Sequence, residues 1–391
     1  MEKERKRRVS AYASFFIFNA FFFMMDPMSS YFNIYLDQLG FTKTMIGTVS
    51  AVSSLAAMLC QPVGGALMDR AQSRRRMLQL LILLTAVLYP LLLLNSSFVY
   101  ILGIYTVYFT FRRLQPAVNT ALSVEFAEEN GRDYGPIRMM GAIGYTLMMV
   151  LVSRVAGMEK GVERTFGLYS AVCLFNVLLL FLLPPMPGHN KSPRESRVSP
   201  LSLLKSRSVK LLILYHVLIA TANGISQTFF PIYATGDMGV SNSLYGIMVA
   251  VGSLLEVPFL FLADRILRRL GMRRTVFLLG LLTAFRWSNA YLAASTCQLF
   301  LTQGFNFVII LENVTISILI SRLVLPEVKT VAQTLVATIQ GVVGILISSL
   351  GGGVLADLFG IRPLFLLSAG IAAGAAFLFW FLLRGQKEAA A

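Results

Sequence analysis

Charge is scarce in this sequence. Of 391 residues only 14% are Asp, Glu, Lys or Arg, against about 25% in an ordinary soluble chain. The residues A, V, I, L, M, F, W, Y and C make up 56%, and the mean hydropathy is +0.70. A soluble protein of this size needs a polar skin that this composition does not supply, so a soluble enzyme is excluded. Cysteine and histidine are scarce too. Cys60, Cys173 and Cys297 lie in or beside apolar runs, which argues against a disulfide framework or a cysteine metal site. His189 and His216 are the only histidines, so most zinc and histidine-base chemistry is absent. There is no G-x-x-x-x-G-K-[ST] loop for a nucleotide. No cofactor and no catalytic group are expected.

Long apolar runs are plentiful. A membrane-crossing helix needs about 20 largely apolar residues. Twelve segments qualify, near 11–36, 44–67, 77–96, 99–123, 137–157, 166–184, 210–234, 243–263, 275–295, 298–321, 330–355 and 362–383. They are too long and too continuously apolar for the alternating strands of a membrane barrel. The basic N-terminus MEKERKRR runs into the first segment without a small-residue cleavage pattern, so it reads as a span rather than a removed signal peptide.

With twelve spans, both termini and every even-numbered loop share one side. That side collects 26 of the 34 Lys and Arg residues, the other side has five, and three lie within spans. Such asymmetry marks the basic side as cytoplasmic. The net charge of +15 is then a topology signal and not a nucleic-acid footprint. The expected fold class is an all-α polytopic membrane protein of twelve transmembrane helices. A polar stretch rich in Pro, Ser and basic residues divides the spans six and six and reads as a flexible linker. The expected organisation is an N-terminal six-helix bundle (1–184), a cytoplasmic linker (185–209) and a C-terminal six-helix bundle (210–391).

The halves resemble one another. YFNIY at Tyr31–Tyr35 returns as FFPIY at Phe229–Tyr233, an offset of 198. LGFTKTMIG ends at Gly47 and MGVSNSLYG at Gly246, an offset of 199. Asp69-Arg70 and Asp264-Arg265 are 195 apart, each followed by a basic cluster. Three matches at nearly constant offset point to a duplication. Parallel repeats around a midplane site are the plan of many secondary transporters.

GGALMDRAQSRRR (Gly64–Arg76) resembles the loop between the second and third helices of the major facilitator superfamily, although Gln72-Ser73 stands where that pattern has its glycine. ADRILRRLGMRR (Ala263–Arg274) is the second copy and keeps Gly271. Over nearly the whole chain the sequence is similar to the branch that contains lactose permease, nucleoside symporters and phenylpropionate-type permeases. DYGPIRMMGAIGY (Asp133–Tyr145), SLLEVPFLFLADRILRR (Ser253–Arg269) and TAFRWSNAY (Thr283–Tyr291) carry that likeness. The resemblance implies two pseudo-symmetric six-helix bundles. It implies that Arg138 and Tyr145 lie near the binding site on helix five, with Glu256 the helix-eight carboxylate and Arg286 the helix-nine arginine. It also implies a cytoplasmic gate at Asp69, Arg70, Arg74, Asp264 and Arg265. Two departures count against lactose and its proton relay: Asn119 replaces the helix-four acid, and Glu312 lies near, but off, the aligned helix-ten proton site.

Asp26, Arg112, Arg113, Glu256, Arg286 and Glu312 fall within apolar spans. Each costs about 2.5–3.5 kcal/mol near a helix centre, so they must pair or face a wet cavity. Three acids and three bases balance. Glu256 is read either as a proton or substrate group or as a structural partner of Arg286. Arg286 is open between the same two readings, and Glu312 between proton site and none. Asp26, beside the helix-breaking Pro27, is a substrate or coupling-ion site or a packing residue. Arg112 and Arg113 point about 100° apart, so at most one faces a cavity squarely while the other pairs, Asp26 being one candidate partner, or reaches toward an interface. A cavity arginine favours an acid-bearing solute. Polar uncharged helix residues such as Asn19, Asn119, Asn223 and Asn306 either bind solute or join helices. His216 is expected to be structural. Tyr31, Tyr35, Phe229 and Tyr233 are candidates to stack on a solute ring.

The expected activity is uptake of a small polar or aromatic-acid solute by proton symport, with alternating access, across a bacterial-type inner membrane. Its partners are a small-molecule solute, protons and the lipid bilayer, and the expected state is a monomer with both termini cytoplasmic. Proton-coupled efflux is the alternative, and a membrane-embedded sensor a remote one.

Overall fold

The structure is a computed structural model. It describes residues 2–69, 73–183, 207–324, 336, 339, 344 and 346–382, without the side chains of 2–11, 66–69, 208, 260–261 and 263–264. Among the described residues every regular element is helical. The helices are α1 (Glu2–Phe23), α2 (Phe32–Gln38), α3 (Lys43–Asp69), α4 (Arg74–Leu91), α5 (Phe98–Glu129), α6 (Tyr134–Ala156) and α7 (Gly161–Leu182). They continue as α8 (Arg207–Ile232), α9 (Asn242–Leu292), α10 (Thr296–Gly304), α11 (Phe307–Leu323), α12 (Gly352–Phe359) and α13 (Arg362–Leu382).

Seven stretches of these helices are long and apolar enough to cross a membrane, Gly161–Leu182 and Arg362–Leu382 being the most apolar. Their outward faces are oily. On α7, Leu174, Leu178, Phe181 and Leu182 are 52–69% exposed while Phe166, Tyr169, Cys173 and Leu180 are fully buried. The polar side chains are inside: Asn19, Gln115, Ser123, Asn176 and Ser226 show no exposure. Such inside-out polarity suits lipid as the solvent, because a polar group facing lipid has nothing to bond.

Four expected spans are not separate simple rods. The first breaks between α1 and α2, where Pro27–Tyr31 makes a short 3-10 turn. Proline lacks the amide hydrogen a helix needs there. The eighth and ninth join without a gap in α9, which bends at Gly271, whose φ of 73° favours glycine. The tenth breaks between α10 and α11 at Phe305 and Asn306. Residues 185–206 of the expected linker and half of the eleventh expected span lie outside the described residues, while 207–209 already belong to α8.

The chain packs as two compact units. Unit 1 holds residues 1–40, 52–193 and 241–250, and unit 2 holds 41–51, 194–240 and 251–391. Within unit 1, α6 lies against α1 on small residues: a Cβ at Gly144 would come within 2.1 Å of the Ala20 carbonyl oxygen. The α4, α5 and α7 helices share an aromatic core in which Tyr89, Tyr108, Tyr169 and Phe166 touch. Within unit 2, α8 packs along α13, where Ser226 donates to Ser368 at 2.9 Å. Arg273 anchors the second limb of α9 by stacking 3.8 Å over the Trp380 ring and donating to its carbonyl.

The exchanged segments 41–51 and 241–250 contain the duplicated glycines. In unit 2, a Cβ on Gly47 would meet the Ser349 carbonyl oxygen at 2.0 Å, and one on Gly353 the Lys43 carbonyl at 2.6 Å. Asp357, at the end of α12, accepts the Lys43 and Thr44 amides at 2.8 Å each and so caps the start of α3. Partial burial pushes its carboxyl up, but bonds from Thr44 and Lys43 outweigh this and hold it below the usual carboxylate range. In unit 1 the equivalent glycine, Gly246, sits against the Tyr31 hydroxyl and Ser153. There the tie is Tyr31 donating to the Asn242 carbonyl at 3.0 Å, with no acid involved.

Candidate functional site

In unit 1 the buried polarity gathers at the break in the first span. Asp26 sits in that break and accepts from Nη2 of Arg112 on α5. Arg112 is 8% exposed and lies 5.3 Å from the Phe22 ring. Its Nη1 donates to Gln115 Oε1 at 3.1 Å. Gln115 passes the connection to α4, donating to the Leu81 carbonyl at 3.0 Å and the Thr85 hydroxyl at 2.9 Å. Arg112 is thereby held on both sides, while the Asp26 side chain stays 37% exposed.

Arg113, one residue on, is exposed. Its guanidinium lies 4.8 Å over the Phe109 ring, and it has no hydrogen bond or ion pair among the described residues. Its neighbouring charged or titratable groups are Tyr105, Asp26 and Arg112. Of the two adjacent arginines, then, Arg112 pairs with Asp26 and Arg113 is left over. Asn119 is 1% exposed and donates to Asn19 at 3.0 Å, which donates to Ser123 at 3.0 Å. This trio ties α5 to α1.

Arg138 is exposed near the start of α6, 4.4 Å over the Phe23 ring. Tyr145, half-buried two turns along the same face, lies near Tyr31 and Tyr245 rather than near the arginines. The structure does not present the repeated aromatics to a solute. Tyr31, Tyr35, Phe229 and Tyr233 are all at most 5% exposed and spent on packing, as where Tyr233 meets Phe365.

In unit 2 the polar residues form two separate groups. Glu256 and Arg286 meet through Asn306, which lies at the break between α10 and α11. Asn306 donates to Glu256 and accepts from Arg286 Nη2 at 2.7 Å. Arg286 also donates to the Thr302 carbonyl at 3.0 Å and lies 4.3 Å from the Trp287 ring, leaving Nη1 unbonded. Trp287 is held in turn by Asn223, at 2.9 Å. The second group is His216 on α8 with Glu312 on α11, Nδ1 to Oε1 at 2.8 Å, the residues 4% and 3% exposed.

Of the expected gate, Arg70 lies outside the described residues, as do the side chains of Asp69 and Asp264. Arg74 pairs with Glu125 on α5 at 2.8 Å, and Arg265 is exposed. Among the described residues no cluster of His, Cys, Asp or Glu is arranged to hold a metal ion.

The family model described as the MFS_1 like family matches residues 11–367. The chain belongs to this family of the major facilitator superfamily. The raffinose permease of Escherichia coli is 24% identical over 73% of this chain and 72% of its own length. Sugar efflux transporter A of Dickeya chrysanthemi is 24% identical over 86% of each chain. The crystal structure of the nucleoside transporter NupG superposes with a TM-score of 0.83 at 16% identity, covering 96% of this chain and 99% of that one. The fold is therefore the twelve-helix major facilitator fold, and the chain is a secondary transporter of that superfamily and not an enzyme.

Within this superfamily member, the connecting residues were the hardest to see in the sequence. Gln115 was accessible, because 112, 115 and 119 follow a helical period and share a face. His216 was not, because its partner Glu312 is 96 residues away. Asn306 was one polar residue among many until the break placed it between Glu256 and Arg286.

Proposed function

We propose that this chain is a proton symporter that takes a small polar or aromatic-acid solute across a bacterial-type inner membrane by alternating access, as a monomer with cytoplasmic termini. The His216–Glu312 pair is the observation that carries this reading. An imidazole and a carboxyl in contact, closed to solvent, exchange a proton as one unit, and nothing larger reaches them. Glu256, Asn306 and Arg286 form a balanced trio beside the helix break, the kind of discontinuity that lines solute sites in secondary transporters. The unbonded Nη1 of Arg286 is a donor such a solute can use. The six-plus-six organisation split at 185–209, and the cytoplasmic basic clusters as gates, belong to the same proposal.

The test is proton movement in proteoliposomes on adding oligosaccharides, nucleosides or aromatic acids. External alkalinisation with one class is expected, lost in Glu312→Gln and retained in Glu256→Gln. Loss in Glu256→Gln alone would move the proton to the trio. The relative named as a sugar efflux transporter supports efflux as the second reading. Alkalinisation outside solute-loaded vesicles, protons entering as solute leaves, would favour it, whereas a symporter run outward acidifies that side.

A further inference from the structure

Among the described residues, the intramembrane charges do not balance within each unit. In unit 1, Asp26 and Arg112 cancel and Arg113 is one cation in excess. In unit 2, Glu256 and Arg286 cancel through Asn306, and Glu312 is one acid in excess beside a histidine.

Arg113 is the sixteenth of the 32 residues of α5, at the middle of the helix and so about 15 Å from either face of a bilayer core. A side chain at that depth cannot snorkel to an interface, and a lone cation there costs about 2.5–3.5 kcal/mol. Its surroundings argue against a lipid-facing position, since Asp26, Arg112 and Tyr105 are its neighbours. Its geometry also suits a ligand. Its guanidinium carbon lies 4.8 Å over the Phe109 ring and its N–H groups make no hydrogen bond among the described residues, which leaves a guanidinium able to bind a carboxylate through two parallel bonds.

We infer that Arg113 receives the carboxylate of an organic monoanion. This rests on the symport reading above and sharpens it: the solute balances the excess cation of unit 1, and one proton balances the excess acid of unit 2. The cycle then moves one anion with one proton and no net charge. Arg112 is excluded from this role by its bonds to Asp26 and Gln115, and Arg138 is the fifth residue of α6, at the end of its span rather than the middle.

The test uses the full-length protein with phenylacetate and glucuronate, each beside its neutral counterpart, phenylacetamide and glucose. Thermal stabilisation by a carboxylate but not by its counterpart is expected, weakened about 10- to 100-fold in Arg113→Gln and partly kept in Arg113→Lys. Without ligand, Arg113→Gln is expected to melt no lower than the parent, since it removes an unpaired charge, so lost binding is not lost folding. In proteoliposomes, uptake is expected to follow a pH gradient and to ignore a potassium–valinomycin potential. Equal carboxylate binding by Arg113→Gln overturns the inference, as does response to neither carboxylate. Proton movement with the neutral solutes alone overturns it and leaves symport standing. Carboxylate stabilisation without proton movement keeps the inference and removes symport.

Discussion

The two units solve the same problem, charge inside a membrane, with different degrees of closure. In unit 1 the Asp26–Arg112 pair sits at a proline break with the acid 37% exposed, and Arg113 has no hydrogen bond or ion pair among the described residues. In unit 2 the acids are engaged: Glu312 is sealed against His216, and Asn306 bridges Glu256 to Arg286. An accessible, under-compensated charge suits a ligand that comes and goes. A sealed titratable pair suits a particle as small as a proton. On the proposal above, the solute's carboxylate is received in unit 1 and the proton in unit 2 of a molecule whose halves share a duplicated sequence.

The sharpest way to break the comparison is to strand one charge in each unit. His216→Leu leaves Glu312 buried alone, and breaking a buried pair typically costs about 3–5 kcal/mol. The expected result is a large drop in melting temperature at pH 7.5, largely restored in His216→Leu/Glu312→Leu, which removes both groups. Asp26→Asn strands Arg112 in unit 1. Because the acid is partly in solvent and Gln115 still accepts from Arg112, a smaller loss of about 1–2 kcal/mol is expected. Equal melting shifts for the two variants would erase the distinction between sealed and open units.

The smallest effect is expected at Asp357, whose carboxylate caps α3 in unit 2 where the matching corner of unit 1 has no acid. Asp357→Asn is expected to cost about 1 kcal/mol, as at other helix caps. Its folded carboxyl titrates below the usual range. The stabilisation is therefore fully present above about pH 4 and is lost as pH falls through the lower folded value. Melting curves of parent and variant are expected to differ at pH 7 and to converge toward pH 3. The unit 1 counterpart, Tyr31→Phe, is expected to show no such convergence.

Much of the fold was legible because lipid imposes one rule, long apolar helices, and Lys and Arg report the sides. The breaks were half-legible: Pro27 announces one, whereas nothing comparable to a proline marks Phe305 and Asn306. The adjacent arginines show where sequence stops. Arg112 and Arg113 sit in the same apolar run, and only their phase against Asp26 on α1 makes one a bonded core residue and the other a free cation. The pairing of His216 with Glu312 was hidden for a similar reason, because helix register across 96 residues is set by packing and not by local pattern. The aromatic repeat misled. YFNIY and FFPIY mark equivalent places in the duplication, and those places are buried corners rather than solute walls.

The most direct test of the division is to run solute counterflow and solute-driven proton movement on Glu312→Gln in the same vesicles. The account predicts that counterflow survives while proton movement stops, because the solute's partner, Arg113, is untouched in the other unit. Proton movement persisting at the parent level would contradict it and return the proton to Glu256 or Asp26.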